Sequence, residues 1–204
     1  SDLSNMFGLT DTLKQNDETP LNHQSPYACA KTYAWSLVKY YRNVHKLFVA
    51  TAIFFNHESP RRTDSYVTRK ITKSAVRISL GLQKELRLGD LSAKLDFGYA
   101  GEFMEAAWNI LQLDEPDDFV IGTGEAVSVE QFLEETFAQL GLRVKDHVVI
   151  DQKFFRPGKT STLIADYAKA KKAFGYEPKV KYKDLIKIMV DADMKIEKET
   201  MGKR

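Results

Sequence analysis

The chain has 204 residues, of which 43% are hydrophobic and 11% aromatic, so it can bury a substantial core. Its formal net charge of +2 is nearly balanced and gives no reason to expect a nucleic-acid partner. Cys29 is the single cysteine, so an internal disulfide and paired-cysteine metal spacing are excluded. We therefore expect no metal and a reducing, cytoplasmic setting. No apolar run approaches the ~20 residues of a membrane helix, so no membrane association is expected.

The first part of the chain has the pattern of a loop, a capped helix and a buried strand. Ser25-Pro26 is a typical helix start, because serine suits the N-cap and proline the first helical position. The run from Leu47 to Phe55 is almost continuously apolar, as in a parallel strand covered on both faces, and the polar loop HESPRRTD follows it. Apolar residues at helical spacing predict one buried face for the helix, formed by Ala30, Ala34, Leu37, Val38 and Tyr41.

The rest of the chain alternates short strands and helices. Helices are predicted from Val67 to Leu82, Tyr99 to Leu113, Ser128 to Gly141, Asp166 to Gly175, and from about Asp184 into the charged tail. Short strands are predicted at 86–88, 119–121 and 148–150. The sequence thus predicts an α/β fold, with the C-terminal part of a doubly wound Rossmann-type sheet and a small mixed α/β substrate-binding lobe. We expect both parts to interleave and to pack as a single unit over residues 1–204.

The first candidate motif is Tyr27-Ala-Cys-Ala-Lys31. Positions i and i+4 of a helix lie on the same face, so the phenol and the ammonium are neighbours. A nearby positive charge favours the tyrosinate form, and such a tyrosine can exchange protons with a sugar hydroxyl while hydride moves to a nicotinamide. Alone the pattern is weak, because such pairs are also common on solvated helix faces.

The second candidate motif is FNHESPRR, residues 55–62, which directly follows the predicted buried strand. Ligands of open α/β sheets bind at the carboxyl ends of strands, so its position suits a binding site. An ordinary polar surface loop is the alternative. Asn, His, Glu and two Arg clustered at a strand end favour the functional interpretation.

Five segments in this order, SPYACAK, FNHESPRR, VTRKIT, PDDFVIGTGE and FFRP, resemble the GDP-mannose 4,6-dehydratase family of extended short-chain dehydrogenases. The resemblance runs over nearly the whole chain, and NHESPRR is far more specific than Tyr-x-x-x-Lys. It implies a lyase of nucleotide-sugar metabolism that converts GDP-mannose to GDP-4-keto-6-deoxymannose with NADP, on the route to GDP-fucose. Homo-oligomers are usual in the resembled family.

The resemblance also implies roles for individual residues. Tyr27 corresponds to the acid/base at the sugar 4-hydroxyl, and Lys31 to the residue that holds the nicotinamide ribose and tunes Tyr27. For Lys70 and Arg156, the alternative to a binding role is an ordinary surface cation. The residues implied to contact NADP are Tyr27, Lys31, His57 and Arg62. Those implied to contact the nucleotide sugar are Asn56, Val67, Lys70 and Arg156, with Arg156 binding the diphosphate of the sugar nucleotide.

Several positions depart from the family pattern. The family carries Thr-Ser-Glu before the tyrosine helix, where this chain has Leu3-Ser4-Asn5. Asparagine cannot remove the sugar C5 proton, and a positioned general base contributes ~10²–10⁴-fold. Ser4 is the candidate to replace the lost threonine hydroxyl, although on an extended segment its side chain points differently. Leu95 replaces an arginine, and Lys159 replaces a glutamate.

These 204 residues contain no Gly-x-Gly-x-x-Gly between a strand and a helix, and Gly122-Thr-Gly124 lacks the third glycine. The chain therefore resembles the C-terminal half of the family, without the half that cradles the cofactor pyrophosphate. Three interpretations stay open. The chain is a catalytic half that needs a first half, a non-catalytic paralogue that binds a nucleotide sugar or packs on an active homologue, or a related NADP-dependent epimerase or reductase.

Overall fold

The computed structural model describes residues 3–155 and 162–202. The chain divides into two compact units, each built from three separate stretches. The first unit comprises Ser1–His57, Leu95–Ala126 and Lys159–Lys179, and the second comprises Glu58–Lys94, Val127–Gly158 and Val180–Arg204. The packing of residues 1–204 as a single unit stays a prediction.

The described residues form an α/β structure. The helices are α1 (Pro26–His45), α2 (Val67–Ser79), α3 (Ala100–Ile110), α4 (Val129–Gln139), α5 (Val144–His147), α6 (Ala168–Phe174) and α7 (Tyr182–Met201). The strands are β1 (Thr51–Phe54), β2 (Asn56–Glu58), β3 (Leu86–Leu88), β4 (Lys94–Leu95), β5 (Phe97–Tyr99), β6 (Asp118–Ile121), β7 (Val127–Ser128) and β8 (Val148–Ile150). Short 3-10 helices occupy Ser4–Met6 and Gln152–Phe154.

A parallel strand pair lies at the centre of the first unit. β1 and β6 run in register from Thr51 opposite Asp118 to Phe54 opposite Ile121, and β2 pairs with β5. Every residue of β6 is buried, which fits a strand covered on both faces. Two apolar clusters enclose the pair: Met6, Phe7, Trp35, Ile53, Phe55, Val120, Leu163 and Ala165 form one, and Phe54, Phe103, Ala106, Ile110, Phe119, Ile121, Ala170 and Tyr176 form the other.

The second unit is built on three helices, α2, α4 and α7, which pack against one another. β3 pairs with β8 in parallel register, from Leu86 opposite Val148 to Leu88 opposite Ile150. The predicted capping box is confirmed, because the Ser128 hydroxyl accepts from the Gln131 backbone and the Gln131 side chain accepts from the Ser128 backbone. Within the two described stretches, no helix is both long and apolar enough to cross a lipid bilayer.

The buried face predicted for α1 is wrong. Ala30, Ala34, Leu37 and Tyr41 are exposed, and Val38 is half-buried. The helix instead packs through Ala28 and Trp35, and the Trp35 indole N–H donates to Asp118 at 2.7 Å. The helix has apolar residues on more than one side, so periodicity alone could not identify the side that packs.

Other boundaries also differ from the prediction. The strand predicted from Leu47 to Phe55 is ordered as β1 only over Thr51–Phe54, while Leu47 and Phe48 are exposed. The loop predicted after it begins instead with the short strand β2. The last helix, predicted from about Asp184 into the charged tail, begins at Tyr182 and ends at Met201. Conversely, the strands predicted at 86–88 and 148–150 are confirmed.

Candidate active site

Helix α1 presents Tyr27 and Lys31 near its first turn. The Ser25 hydroxyl caps the helix by accepting from the Ala28 backbone N–H at 3.1 Å, and Pro26 occupies the first helical position. The Lys31 ammonium lies 5.4 Å from the centre of the Tyr27 ring. Tyr27 is 46% exposed, so solvent or a ligand can approach its ring. The cap and the i,i+4 spacing thus place a phenol and a cation together on an accessible helix face.

His57 is fixed by its own neighbourhood in the first unit. Its Nδ1 lies 2.9 Å from the Phe55 carbonyl oxygen, which can only accept, so Nδ1 carries the proton in this contact. The imidazole packs against Phe54 and Phe103, with ring centres 5.4 and 5.5 Å away. These contacts define the orientation of the imidazole ring.

Asn56 is held by the backbone of Asp96, a residue with a buried carboxylate. Its side-chain amide donates to the backbone carbonyl of Asp96 at 3.3 Å. The Asp96 side chain is fully buried and accepts from the Thr123 N–H and hydroxyl, at 2.8 and 2.6 Å. It also accepts from the Gly124 and Ala165 backbone N–H groups, at 2.9 and 3.1 Å. Burial raises the pKa of Asp96, while the hydrogen bonds from Thr123, Ala165 and Gly124 oppose that rise.

In the second unit, the buried Glu58 pairs with the half-buried Arg62. Glu58 is 3% exposed, and its Oε2 accepts from the Thr68 hydroxyl at 2.7 Å. The Arg62 Nε lies 3.3 Å from the same oxygen, which is an ion-pair distance, although the angle does not make a hydrogen bond. The Arg62 guanidinium stacks 3.5 Å above the centre of the Tyr66 ring. Glu58 is therefore engaged and is a poor candidate for a free general base.

Lys70 lies on helix α2 of the same unit. Its ammonium donates to the Arg87 carbonyl at 2.6 Å and lies 4.1 Å from the centre of the Phe154 ring. Burial lowers the pKa of Lys70. Val67, one helical turn earlier, is half-buried. Lys70 is thus held by the unit and is not a freely solvated surface cation.

The segment Leu3-Ser4-Asn5 was expected to be extended, and this expectation is wrong. Ser4–Met6 form a 3-10 helix, whose start is fixed by the Leu3 N–H donating to the Phe54 carbonyl at 3.1 Å. Ser4 is buried at 2% exposure, and Asn5 is exposed. A sugar reaches the Ser4 hydroxyl only if its surroundings move, so the proposed catalytic role of Ser4 has weak geometric support.

Some predicted features lie elsewhere. Arg156 and Lys159 are outside the described residues. Among residues 3–155 and 162–202, no group of three or more His, Cys, Asp or Glu side chains could hold a metal ion. A cavity of about 380 Å³ in the first unit is lined by none of the predicted site residues, but by Arg42, Asn43, Lys46, Leu47, Phe48, Asp114, Glu115 and Pro116. Convergence of the predicted residues on one cleft stays a prediction.

Four side chains that contact the predicted site residues were not themselves predicted. Asp96 accepts from Asn56 through its backbone carbonyl, and Thr68 donates to Glu58. The rings of Tyr66 and Phe154 contact Arg62 and Lys70, respectively. The signal for Asp96 was present as a single acidic residue between the apolar Leu95 and Phe97. An acid in such a run is buried only when it is paired. Tyr66 and Phe154 carried no comparable signal.

Solved structures define the class of fold. RMD from Pseudomonas aeruginosa, complexed with NADPH, matches with a TM-score of 0.87 at 21% identity, covering 96% of this chain and 65% of that one. The dTDP-glucose 4,6-dehydratase of Bacillus anthracis, in complex with NAD, matches with a TM-score of 0.83 at 23% identity, covering 97% and 61%. The chain has the Rossmann-type α/β fold of these two structures.

Sequence comparison identifies the family within that class. The profile described as GDP-mannose 4,6 dehydratase matches residues 3–189. GDP-mannose 4,6 dehydratase 2 of Arabidopsis thaliana is 46% identical over 195 residues, covering 96% of this chain and 52% of that protein. The human GDP-mannose 4,6 dehydratase is 39% identical over 210 residues, covering 95% and 56%. The chain belongs to the GDP-mannose 4,6-dehydratase family, and it spans about half the length of the curated relatives it matches.

Proposed function

We propose that this chain carries the sugar-handling half of a GDP-mannose 4,6-dehydratase, which acts on GDP-mannose with NADP. The observation that carries the proposal is the capped helix α1, which presents Tyr27 beside Lys31 in a chain whose family match runs over residues 3–189. A homo-oligomer and a cytoplasmic location, favoured by family habit and the single Cys29, belong to the same proposal.

The residues present fit a nicotinamide dinucleotide. Lys31 supplies a cation beside Tyr27, and Arg62 supplies a guanidinium anchored on Glu58 and Tyr66, which suits a phosphate group. His57 has an imidazole of defined orientation. When bound, the cofactor accepts hydride from the sugar C4 and later returns it. The 204 residues lack a glycine-rich pyrophosphate turn, so we expect the isolated chain to bind NADP only weakly.

The chain's own groups would divide the work of dehydration. Tyr27 would take the proton of the 4-hydroxyl during oxidation, with Lys31 stabilising the tyrosinate. Asn56 and Lys70 would contact the nucleotide sugar, each held by the contacts described above. Val67 and Arg156 complete the proposed sugar-nucleotide contacts. Loss of the C5 proton and C6 hydroxyl needs a base, and Asn5 cannot supply one.

A second candidate function follows from Asn5. A family member that has an amide where the base belongs, and Leu3 where a hydroxyl belongs, fits a paralogue that binds a nucleotide sugar without turnover. An epimerase or reductase, which needs Tyr27 and Lys31 but no acid at position 5, is compatible with the same residues. Product analysis separates these functions from dehydration.

The test joins this chain, from Leu3 onward, to the amino-terminal half of the Arabidopsis relative. Conversion of GDP-mannose to the 4-keto-6-deoxy sugar is measured for the chimera and for Asn5→Glu and Tyr27→Phe variants. We expect slow turnover in the unmodified chimera. Asn5→Glu should recover a measurable part of the ~10²–10⁴-fold that a general base supplies. Tyr27→Phe should abolish turnover in both backgrounds.

The outcomes separate the candidates. Rapid turnover without the Asn5→Glu change would refute the argument that position 5 limits the reaction. Binding of GDP-mannose without turnover in either chimera would favour the paralogue. Tyr27→Phe with undiminished turnover would remove Tyr27 from the mechanism and the proposal with it.

A further inference from the structure

Glu58 belongs to a cluster of side chains in the second unit, the Glu58 cluster, which contains Glu58, Arg62, Tyr66 and Thr68. The Thr68 hydroxyl and the Arg62 Nε both approach Glu58 Oε2, at 2.7 and 3.3 Å. The Tyr66 ring lies under the guanidinium, 3.5 Å from its central carbon. One carboxylate oxygen thus joins a hydroxyl and a guanidinium that itself rests on an aromatic face.

The local backbone builds this cluster within eleven residues. The Arg62 N–H donates to the Ser59 carbonyl at 3.0 Å, and this turn brings Arg62 back over Glu58. The Tyr66 N–H donates to the Thr63 carbonyl at 3.2 Å, and Tyr66 is the N-cap residue of α2. Thr68 follows in the first turn of that helix. Two consecutive turns therefore bring Arg62 and Thr68 to Glu58, and Tyr66 to Arg62.

The energetics of burial explain why the cluster holds together. A carboxylate at 3% exposure is costly without a partner, and Arg62 and Thr68 are its charged and hydroxyl partners. The Arg62 Nε is buried and makes no hydrogen bond. Within the described ranges, no hydrogen bond or ion pair involves either of the two terminal amino groups of Arg62. Arg62 is thus held near its Nε, while the N–H donors of its two terminal amino groups are available to bind a ligand.

We propose that Glu58 is a positioning residue, which with Thr68 and Tyr66 fixes the Arg62 guanidinium to receive a phosphate group of a nicotinamide nucleotide. The ligand part rests on the cofactor contact proposed above for Arg62. The positioning part stands on the contacts of the cluster itself. Glu58 acts through Arg62 and takes no part in proton transfer.

The test is nuclear magnetic resonance of the Arg62 Nε–H group in the full chain, with the signal assigned by its loss in Arg62→Lys. Burial should make this proton exchange slowly with solvent. Glu58→Gln removes the anchoring charge and should speed exchange roughly tenfold or more. Thr68→Val keeps the charge and nearly the shape but removes the hydroxyl, and should act in the same direction. Thr68→Ser restores the hydroxyl and should recover slow exchange.

The matched control is Glu85→Gln in the same unit. Glu85 pairs with the Arg87 Nε at 2.7 Å, but both side chains are about half exposed, so this change should leave the Arg62 signal unaltered. Slow Arg62 exchange in both folded Glu58→Gln and Thr68→Val would overturn the positioning role. If Glu58→Gln fails to fold, Thr68→Val against Thr68→Ser decides the question.

A titration with NADP, followed on the same signal in the chimera described above, whose amino-terminal half comes from the Arabidopsis relative, tests the ligand separately. We expect NADP to shift the Arg62 resonance, and Arg62→Lys and Thr68→Val to weaken the response severalfold, with Thr68→Ser restoring it. An Arg62 signal that ignores NADP, with unchanged affinity in Arg62→Lys, would refute the cofactor contact. The exchange rates would then still decide whether Glu58 positions Arg62.

Discussion

Replacing Asp96 by asparagine should destabilise the first unit, because all four partners of its buried carboxylate are donors. One oxygen, Oδ1, accepts both bonds from Thr123, and the other, Oδ2, accepts from the Gly124 and Ala165 N–H groups. Asparagine has the same shape but brings an NH₂ donor in place of one acceptor. In either orientation of the amide, that donor faces at least one buried backbone N–H.

The magnitude follows from the number of N–H groups that lose their acceptor. If the NH₂ faces Thr123, the hydroxyl can turn to accept, and one N–H stays unpaired. If it faces Gly124 and Ala165, two stay unpaired. Each unsatisfied buried group costs about 1–3 kcal/mol, so the expected loss is about 1–3 kcal/mol in the first case and about twice that in the second. The remaining bonds also weaken, since the acceptor is no longer charged.

The assay is urea unfolding followed by tryptophan fluorescence, since Trp35 and Trp108, the only tryptophans of the chain, both belong to the first unit. The control is Asp166→Asn in the same unit. Asp166 accepts one backbone N–H, from Ala168 at 3.1 Å, in an exposed setting that asparagine can reproduce, so a change within about 0.5 kcal/mol is expected. A loss at Asp96→Asn no larger than that of the control would refute the reasoning about unpaired donors.

Two further predictions concern strain and acid stability in the first unit. Gly8→Ala should lower the free energy of unfolding, measured in urea, more than Gly175→Ala does. Both glycines have a positive φ, +57° and +73°, but only at Gly8 would an added Cβ meet a backbone atom, the Asn22 oxygen at 1.6 Å. Equal losses would show that the loop at Gly8 simply shifts. Lys169→Met should reduce the loss of stability as pH falls below 3.8, because although burial raises the pKa of Asp117, the hydrogen bond and charge of Lys169 lower it overall. A carboxyl group whose pKa is depressed in the folded state stabilises the fold above its unfolded pKa, and this contribution is lost as the pH falls through the folded pKa. An equal fall of the unfolding midpoint in the variant and in the unmodified chain, from about pH 5 to about pH 2, would contradict the prediction.

The sequence predicted helix starts better than it predicted packing. Ser25-Pro26 and the Ser128–Gln131 box are local chemistry, and the structure confirms both. The buried face of α1 depends on which apolar side meets the β1–β6 pair, and Trp35 decides this through Asp118, 83 residues away. β1 is shorter than predicted for a similar reason, because the described residues of the first unit do not bury the apolar Leu47 and Phe48, which are 49% and 46% exposed.

The candidate site divides in the same way. Spacing alone places Lys31 beside Tyr27, because helix geometry fixes neighbours four residues apart. The contacts that hold Asn56 and Lys70 come from 40 and 17 residues away, at the Asp96 and Arg87 carbonyls, and no local pattern encodes them. The 3-10 turn at Ser4–Met6 likewise depends on Leu3 bonding to Phe54. Tertiary contacts, which single-sequence patterns do not contain, account for these differences.

The positions of the acidic residues separate the side chains that the fold needs from the position that the proposed chemistry needs. Acidic side chains in the core are each paired: Asp96 with backbone donors, Glu58 with Arg62, Asp118 with Arg42, Asp193 with Arg69 and Glu197 with Arg77. Removing one partner of such a pair costs several kcal/mol, comparable with the whole stability of a domain. Asn5, in contrast, is exposed, and an exposed substitution typically changes stability by less than about 0.5 kcal/mol. An acid or an amide at position 5 is therefore compatible with the same fold, so the fold does not decide turnover and the Asn5→Glu chimera is the decisive measurement.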